Sequence, residues 1–87
     1  MDIQELRKEI DIIDQELVSL FCRRMNVAAE IANYKRQNNL PIYHPGREQE
    51  VLLNVTAMVS PDLGDYVQEL YSVMFALSKR YQTEHNE

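Results

Sequence analysis

The fold is decided by residues 3–34, which read IQELRKEIDIIDQELVSLFCRRMNVAAEIANY. Within this stretch, ten positions follow one another at alternating steps of three and four residues, the spacing of a heptad seam along an α-helix. Nine are apolar or aromatic and one is an arginine; in order they are Ile3, Leu6, Ile10, Ile13, Leu17, Leu20, Arg24, Val27, Ile31 and Tyr34. The pattern predicts one long helix that presents an apolar stripe to a partner element.

Arg24 is the exception in this seam. A guanidinium does not lose its charge in proteins, and burying it without an anionic partner is costly. Either the seam opens to water at Arg24, or an anion binds there. A third interpretation is purely structural, since a polar residue at such a position can simply fix the register and oligomeric state of a coiled coil.

The ends of the long helix are marked by capping residues. Asp2, with Glu5 three residues later, predicts a capping box at the start, and Asn38-Asn39 with Pro41 predicts a stop near residue 37. A helix over about 2–37 is about 50 Å long. A compact monomer of this size would have a radius of gyration of only about 12 Å. We therefore predict a homodimer in which the long helices of two subunits share the core.

Two shorter helices are predicted after a short connector. His44 before Pro45 is typical of a helix start, and Ser60 before Pro61 repeats the signature. The second helix is expected over about 45–59 and the third over about 61–84. Apolar residues recur along both at helical spacing, which predicts one all-α domain over residues 1–87.

Composition excludes several classes of function. The chain has 87 residues and a net charge of −5, which disfavours a nucleic-acid partner. It has no apolar run long enough to cross a bilayer and no signal-peptide character. The single cysteine, Cys22, excludes an internal disulfide, and His44 and His85 lack metal-ligand spacing with it. We predict a cytoplasmic protein without a metal, a cofactor or a membrane partner.

Several cations lie beside the predicted seam. With Ile3 as heptad position a, Arg24 is also at a, whereas Arg7 and Lys35 are at e. Arg24 and Lys35 differ by about 20° around the helix axis and about 16 Å along it, so long side chains can converge on one ligand. Arg7 lies about 25 Å from Arg24 along the helix. Only the partner subunit's Arg7, in an antiparallel dimer, can reach the same small ligand.

The shorter helices add polar residues next to their apolar faces: Arg47, Glu48, Ser78 and Gln82. Taken singly, each charge has a structural interpretation as a surface ion pair or a solvated helix end. Together they suit a small polyanion with further oxygen functions. The sequence contains no apparent nucleophile grouping and no glycine-rich phosphate loop, so the predicted site binds, orients and stabilises charge without forming a covalent bond.

Four blocks in order carry a resemblance to a known family: residues 6–14 (LRKEIDIID), Arg23-Arg24 followed by 29–35 (AEIANYK), 41–48 (PIYHPGRE), and Ser78 with Gln82. The chain resembles the all-helical chorismate mutases of the monofunctional bacterial type over nearly its whole length. The resemblance implies an intertwined homodimer with two equivalent sites. It also implies an isomerase of the shikimate pathway, which rearranges chorismate to prephenate toward phenylalanine and tyrosine.

The resemblance assigns a role to each polar candidate. Arg24 and the partner subunit's Arg7 would hold the two carboxylates of chorismate, and Ser78 would help to seat one of them. Lys35 and Gln82 would donate hydrogen bonds to the ether oxygen as its bond to carbon breaks. Glu48 would accept from the ring hydroxyl, and Arg47 would support the electrostatics. The implied catalytic residues are Lys35, Gln82, Arg24 and Glu48; the further substrate-binding candidates are Arg7, Arg47, Ser78 and His44.

His44 departs from the family pattern, in which an aspartate commonly stands before the Pro-Gly-Arg-Glu turn. We predict that this position contributes mainly through its backbone. Two other functions stay open at this stage. One is an isochorismate-pyruvate lyase on the same scaffold, and the other is a non-catalytic helical dimer that binds chorismate or nothing. The chain could also be one domain of a larger enzyme, although Met1 and the polar tail favour a free-standing protein.

Overall fold

The computed structural model describes residues 2–84, and within this range the chain is helical with no β-strand. Helix α1 spans Ile3–Gln37, α2 spans Pro45–Ala57 and α3 spans Gly64–Glu84, with a short 3-10 turn at Pro61–Leu63. The prediction of an all-α fold with one long and two shorter helices is confirmed. His85 lies outside the described residues.

Both ends of α1 have the residues that the sequence predicts. The Asp2 carboxylate accepts from the backbone N–H of Glu5 at 2.9 Å, which satisfies one donor of the first turn. At the other end, Asn39 adopts a left-handed conformation with φ 55°. The side-chain amide of Asn38 donates to the carbonyl of Tyr34 at 2.8 Å. These contacts end the helix before Pro41 could disrupt it.

Helix α2 ends two residues earlier than the sequence predicts, at Ala57 rather than at 59, and Met58 is its C-cap. The reason lies in Pro61, since a proline disfavours the helical conformation for the residue before it. Ser60 accordingly has an extended backbone, with φ −65° and ψ 155°. The chain must therefore leave α2 before it reaches this residue.

The start of the third helix also differs from the prediction. The Ser60 side chain makes no capping hydrogen bond. Its carbonyl instead accepts from the N–H of Leu63 at 2.9 Å, so the segment begins as a 3-10 turn and α3 follows at Gly64. Gly64 is buried, and a Cβ there would lie 3.5 Å from the Thr56 side chain. This close approach packs the start of α3 against the end of α2.

The chain has very little core of its own. Among the described residues only two apolar side chains, Ala32 and Val55, are buried. The radius of gyration is 16.1 Å, against the roughly 12 Å expected for a compact chain of this length. The molecule measures 55 × 28 × 15 Å, and the long dimension is set by α1. No helix in the described part of the chain is long and apolar enough to cross a membrane.

Candidate functional site

A pocket of about 860 Å³ lies between the C-terminal half of α1, the connector, the first turns of α2 and the C-terminal half of α3. Of the eight predicted binding residues, seven line it: Arg24, Lys35, His44, Arg47, Glu48, Ser78 and Gln82. The structure does not bring Arg7 to the pocket of its own chain. The convergence of seven side chains from three separate segments makes this pocket the candidate site.

Arg24 lies between α1 and α3. Its guanidinium carbon is 5.4 Å from the ring centroid of Tyr71 and 5.6 Å from that of Phe75. The two rings contact each other edge to face at a centroid distance of 6.2 Å. Aromatic faces attract a cation without neutralising it. Within residues 2–84, no acidic side chain forms an ion pair with Arg24, so its charge is available to an anion in the pocket.

Ser78 fixes α3 against α1 beside Arg24. Its hydroxyl donates to the sulfur of Met25 at 3.4 Å, and the residue is only 7% exposed. A thioether is a weak acceptor, so a stronger acceptor in the pocket can compete for this hydroxyl. Gln82 lies one turn further along α3 and is half-buried. Its amide has no hydrogen-bond partner in the described part of the chain and can therefore donate to a ligand without breaking an existing bond.

Lys35 holds the connector at the edge of the pocket. Its ammonium is 3.4 Å from the carbonyl oxygen of Ile42, which is a long hydrogen bond. Arg47 instead forms an ion pair with Glu50 at 2.6 Å, and both side chains are 61% exposed. An exposed pair of this kind stabilises little, so a ligand anion can attract Arg47 at low cost.

His44 holds the first turn of α2 through both its side chain and its backbone. Its Nδ1 accepts from the N–H of Arg47 at 3.0 Å. Its carbonyl accepts from the N–H groups of Arg47 and Glu48 at 3.1 and 3.3 Å. An aspartate would accept at the same cap position. The expectation of a mainly backbone contribution therefore omits a side-chain contact that both residue types can make.

Lys79 was missed by the sequence analysis. Its ammonium forms an ion pair with the carboxylate of Glu48 at 2.8 Å and lies 4.3 Å from the ring centroid of Tyr43. Both Lys79 and Tyr43 line the pocket. A lysine between the two candidates Ser78 and Gln82 was the available signal. Which carboxylate it contacts depends on how α2 packs against α3, and helical periodicity does not give this.

The remaining pocket lining is mainly apolar and includes Val27, Ile31, Val51 and Phe75, together with the polar side chains of Arg23, Arg36 and Thr83. Among the described residues, no group of three or more His, Cys, Asp and Glu side chains is placed to hold a metal ion. The arrangement thus combines cations and neutral donors with an apolar wall. A small anionic organic molecule suits it because apolar walls and a few convergent polar groups are the usual composition of a ligand site.

A family profile described as chorismate mutase type II matches residues 6–83, which is nearly the whole chain. The chain belongs to the chorismate mutase type II family. Its fold is similar to the solved structure of chorismate mutase (form II) from Thermus thermophilus, with a TM-score of 0.89 and 30% sequence identity over 98% of each chain. The family and the fold named by the sequence resemblance are therefore confirmed.

Two curated relatives share part of this sequence. The bifunctional chorismate mutase/prephenate dehydratase of Aquifex aeolicus is 46% identical over 50 residues, 58% of this chain and 14% of that protein. The 4-amino-4-deoxychorismate mutase of Streptomyces venezuelae is 37% identical over 46 residues, 53% of this chain and 45% of that protein. The match thus spans less than half of either relative.

Proposed function

We propose that this chain catalyses the rearrangement of chorismate to prephenate, the isomerisation that leads toward phenylalanine and tyrosine. The observation that carries the proposal is Arg24, a half-buried guanidinium with aromatic neighbours and no acidic partner among residues 2–84. It shares one pocket with Lys35 and Gln82 in a chain of the chorismate mutase family. A cation without an acidic partner in such a pocket is suited to one carboxylate of the substrate.

The first catalytic contribution is orientation. In the reaction a carbon–oxygen bond of the ether bridge breaks while a carbon–carbon bond forms, and no atom enters or leaves. The enolpyruvyl group must therefore be held over the ring in a compact, chair-like arrangement. Arg24 can hold a carboxylate with two parallel N–H donors, and the Ser78 hydroxyl can help to seat it. Holding the reacting atoms in this arrangement lowers the barrier by several kcal/mol.

The second contribution is electrostatic. Negative charge grows on the ether oxygen as its bond to carbon breaks, so donors at this oxygen bind the transition state more tightly than the substrate. Lys35 and Gln82 fill this role in the proposal. Gln82 has no competing partner in the described part of the chain, and Lys35 gives up only a long hydrogen bond to Ile42. Arg47 adds positive potential at the pocket edge.

Glu48 is assigned the ring hydroxyl of chorismate. The Lys79 ammonium contacts Oε2 of this carboxylate, which leaves Oε1 to accept from the ligand. Because a carboxylate has two oxygens with about four acceptor sites, it can serve the lysine and the hydroxyl together. His44 holds the turn that carries Glu48, and in this way it acts on the substrate indirectly.

The second substrate carboxylate requires a further cation, and we assign it to the partner subunit's Arg7 in a homodimer. The nine apolar seam residues of α1 are between 43% and 61% exposed in the single chain. An exposed apolar stripe of this length, interrupted only at Arg24, is typical of an interaction surface. A second copy with its α1 antiparallel covers this stripe and brings Arg7 toward Arg24. The proposed location of the protein is the cytoplasm, where the exposed thiol of Cys22 stays reduced.

The proposal is tested by mixing the purified protein with chorismate and, separately, with isochorismate. Loss of chorismate with formation of prephenate is the expected result. Formation of salicylate and pyruvate from isochorismate alone would instead support a lyase. If neither substrate is converted, the chain is a binding module and the proposal is wrong. Chorismate incubated without protein gives the uncatalysed rate that must be subtracted.

A further inference from the structure

The ion pair between Lys79 and Glu48 gives one corner of the pocket an unusual charge balance. Lys79 contacts Oε2 of Glu48 at 2.8 Å and lies over the ring of Tyr43. The Glu48 side chain is 26% exposed and that of Lys79 is 46% exposed, so the pair is partly shielded from water. A carboxylate without a partner would favour a cationic ligand group, whereas this carboxylate is already neutralised.

The position of Lys79 determines which ligand groups can use the remaining oxygen of Glu48. A donor bound to Oε1 would lie roughly 5 Å from the Lys79 ammonium, given ordinary hydrogen-bond lengths. A neutral hydroxyl at that point is not repelled by the ammonium. A protonated amine is repelled, because like charges at this distance still interact strongly in a partly buried site. Alkylamines are protonated at neutral pH, as the lysine side chain itself is.

We propose that Lys79 is a specificity-determining residue that makes this pocket select a ring hydroxyl over a ring ammonium at the position contacted by Glu48. This inference rests on the proposed function, in which Glu48 accepts from the ring hydroxyl of chorismate. The amine to be rejected is 4-amino-4-deoxychorismate, whose name states that an amino group replaces the hydroxyl at ring position 4. Tyr43 contributes by holding the Lys79 ammonium in place through its ring face.

The test compares kcat/KM for chorismate and for 4-amino-4-deoxychorismate in the wild type, Lys79→Gln and Lys79→Arg. The ratio of the two values is the measured quantity, since a general loss of activity cancels from it. We expect the wild type to prefer chorismate. Lys79→Gln should shift the ratio toward the amine by about tenfold or more, because the repelling charge is gone. Lys79→Arg keeps the charge and should stay within about twofold of the wild-type ratio.

Arg80→Gln is the matched control. Arg80 is the next residue of α3, forms an exposed pair with Glu84 at 3.9 Å, and does not line the pocket. Its substitution removes the same charge without touching Glu48, so the ratio should not change. Circular dichroism and sedimentation of all variants check that helicity and oligomeric state are preserved.

The possible failures are distinguishable. If the wild type does not convert chorismate, the proposed function is wrong and the role of Lys79 falls with it. If chorismate is converted but Lys79→Gln leaves the ratio unchanged, only the role of Lys79 is wrong. The role is equally overturned if Lys79→Arg shifts the ratio as far as Lys79→Gln, or if Arg80→Gln does so.

Discussion

The two halves of α1 carry the same heptad pattern but have different surroundings. Every residue from 2 to 23 is exposed in the single chain. From Arg24 onward, buried and half-buried residues recur, among them Met25, Ala32 and Lys35, because α3 packs against this half. One pattern thus serves two purposes. The C-terminal half helps to build the pocket within its own chain, and the N-terminal half is left exposed by the described part of the chain.

This difference explains how a polar residue is tolerated at Arg24. In the proposed dimer, a guanidinium in the N-terminal half would face a second apolar seam. At position 24 it instead meets the aromatic rings of Tyr71 and Phe75. The surroundings of the seam thus change at Arg24, its one charged residue. In the proposed dimer, each half of α1 depends on the other, since the site needs an arginine from each.

The largest expected effect comes from placing a charge in the apolar seam of the N-terminal half of α1. Leu17→Asp places a carboxylate in the proposed dimer interface at a cost of about 3–5 kcal/mol per subunit, because the charge has no partner there. Sedimentation should show loss of the dimer, circular dichroism should show loss of helicity, and turnover of chorismate should cease. Ser19→Asp introduces the same charge two residues away, off the seam, and should leave all three unchanged. A fully active Leu17→Asp dimer would mean that this seam is not the interface.

A substitution of the seam arginine in the C-terminal half of α1 should remove activity without unfolding the protein. Arg24→Ala deletes the proposed carboxylate contact. The loss of transition-state stabilisation should be about 3 kcal/mol, which lowers kcat/KM roughly 200-fold, while the dimer persists. Arg24→Lys keeps the charge but not the planar pair of donors, so it should recover only part of the loss. Steady-state kinetics and sedimentation together provide the measurement. Full activity of the Arg24→Ala variant would show that Arg24 does not bind substrate and only sets the register of the helices.

The dependence of one half on the other can be measured by mixing two inactive variants. Arg7→Ala and Arg24→Ala should each be nearly inactive alone. After unfolding and refolding together, half of the dimers are mixed, and each mixed dimer has one intact site of two, so about one quarter of the wild-type activity should return. If Arg7 served its own subunit, both sites of a mixed dimer would be defective. No recovery would then be seen, which would contradict the donation of Arg7 across subunits.

The sequence was sufficient for the three helices and for seven of the residues that line the pocket, but not for how the side chains pair. The caps at Asp2, Asn39 and His44 depend on local chemistry, and all three are present in the structure. The Ser60 side chain makes no capping hydrogen bond, and the segment begins instead with a 3-10 turn in which the Ser60 carbonyl accepts from the N–H of Leu63. Local signals can compete in this way without any trace in the pattern of apolar residues.

The pairing of charges is the part that the sequence could not give. Glu48 pairs with Lys79, which is 31 residues away, and Arg47 pairs with Glu50 rather than with its neighbour. The first pairing depends on the rotation of α2 relative to α3, whereas the second joins two exposed residues three positions apart in α2. A heptad pattern within one helix contains no information about that rotation. The roles assigned to the pocket residues therefore stay predictions.

The smallest expected effect concerns His44, which belongs to neither half of α1 but holds α2 against the pocket. His44→Ala removes the acceptor for the N–H of Arg47 and should lower stability by about 1 kcal/mol. Thermal unfolding at one fixed protein concentration should show a Tm decrease of about 4–8 °C. His44→Asp supplies another acceptor and should keep the Tm, with kcat/KM within about tenfold of the wild type. A larger gain in kcat/KM for His44→Asp would show that the side chain acts on the substrate as well as on the helix. An unchanged Tm for His44→Ala would show instead that the carbonyl of this residue holds the turn alone.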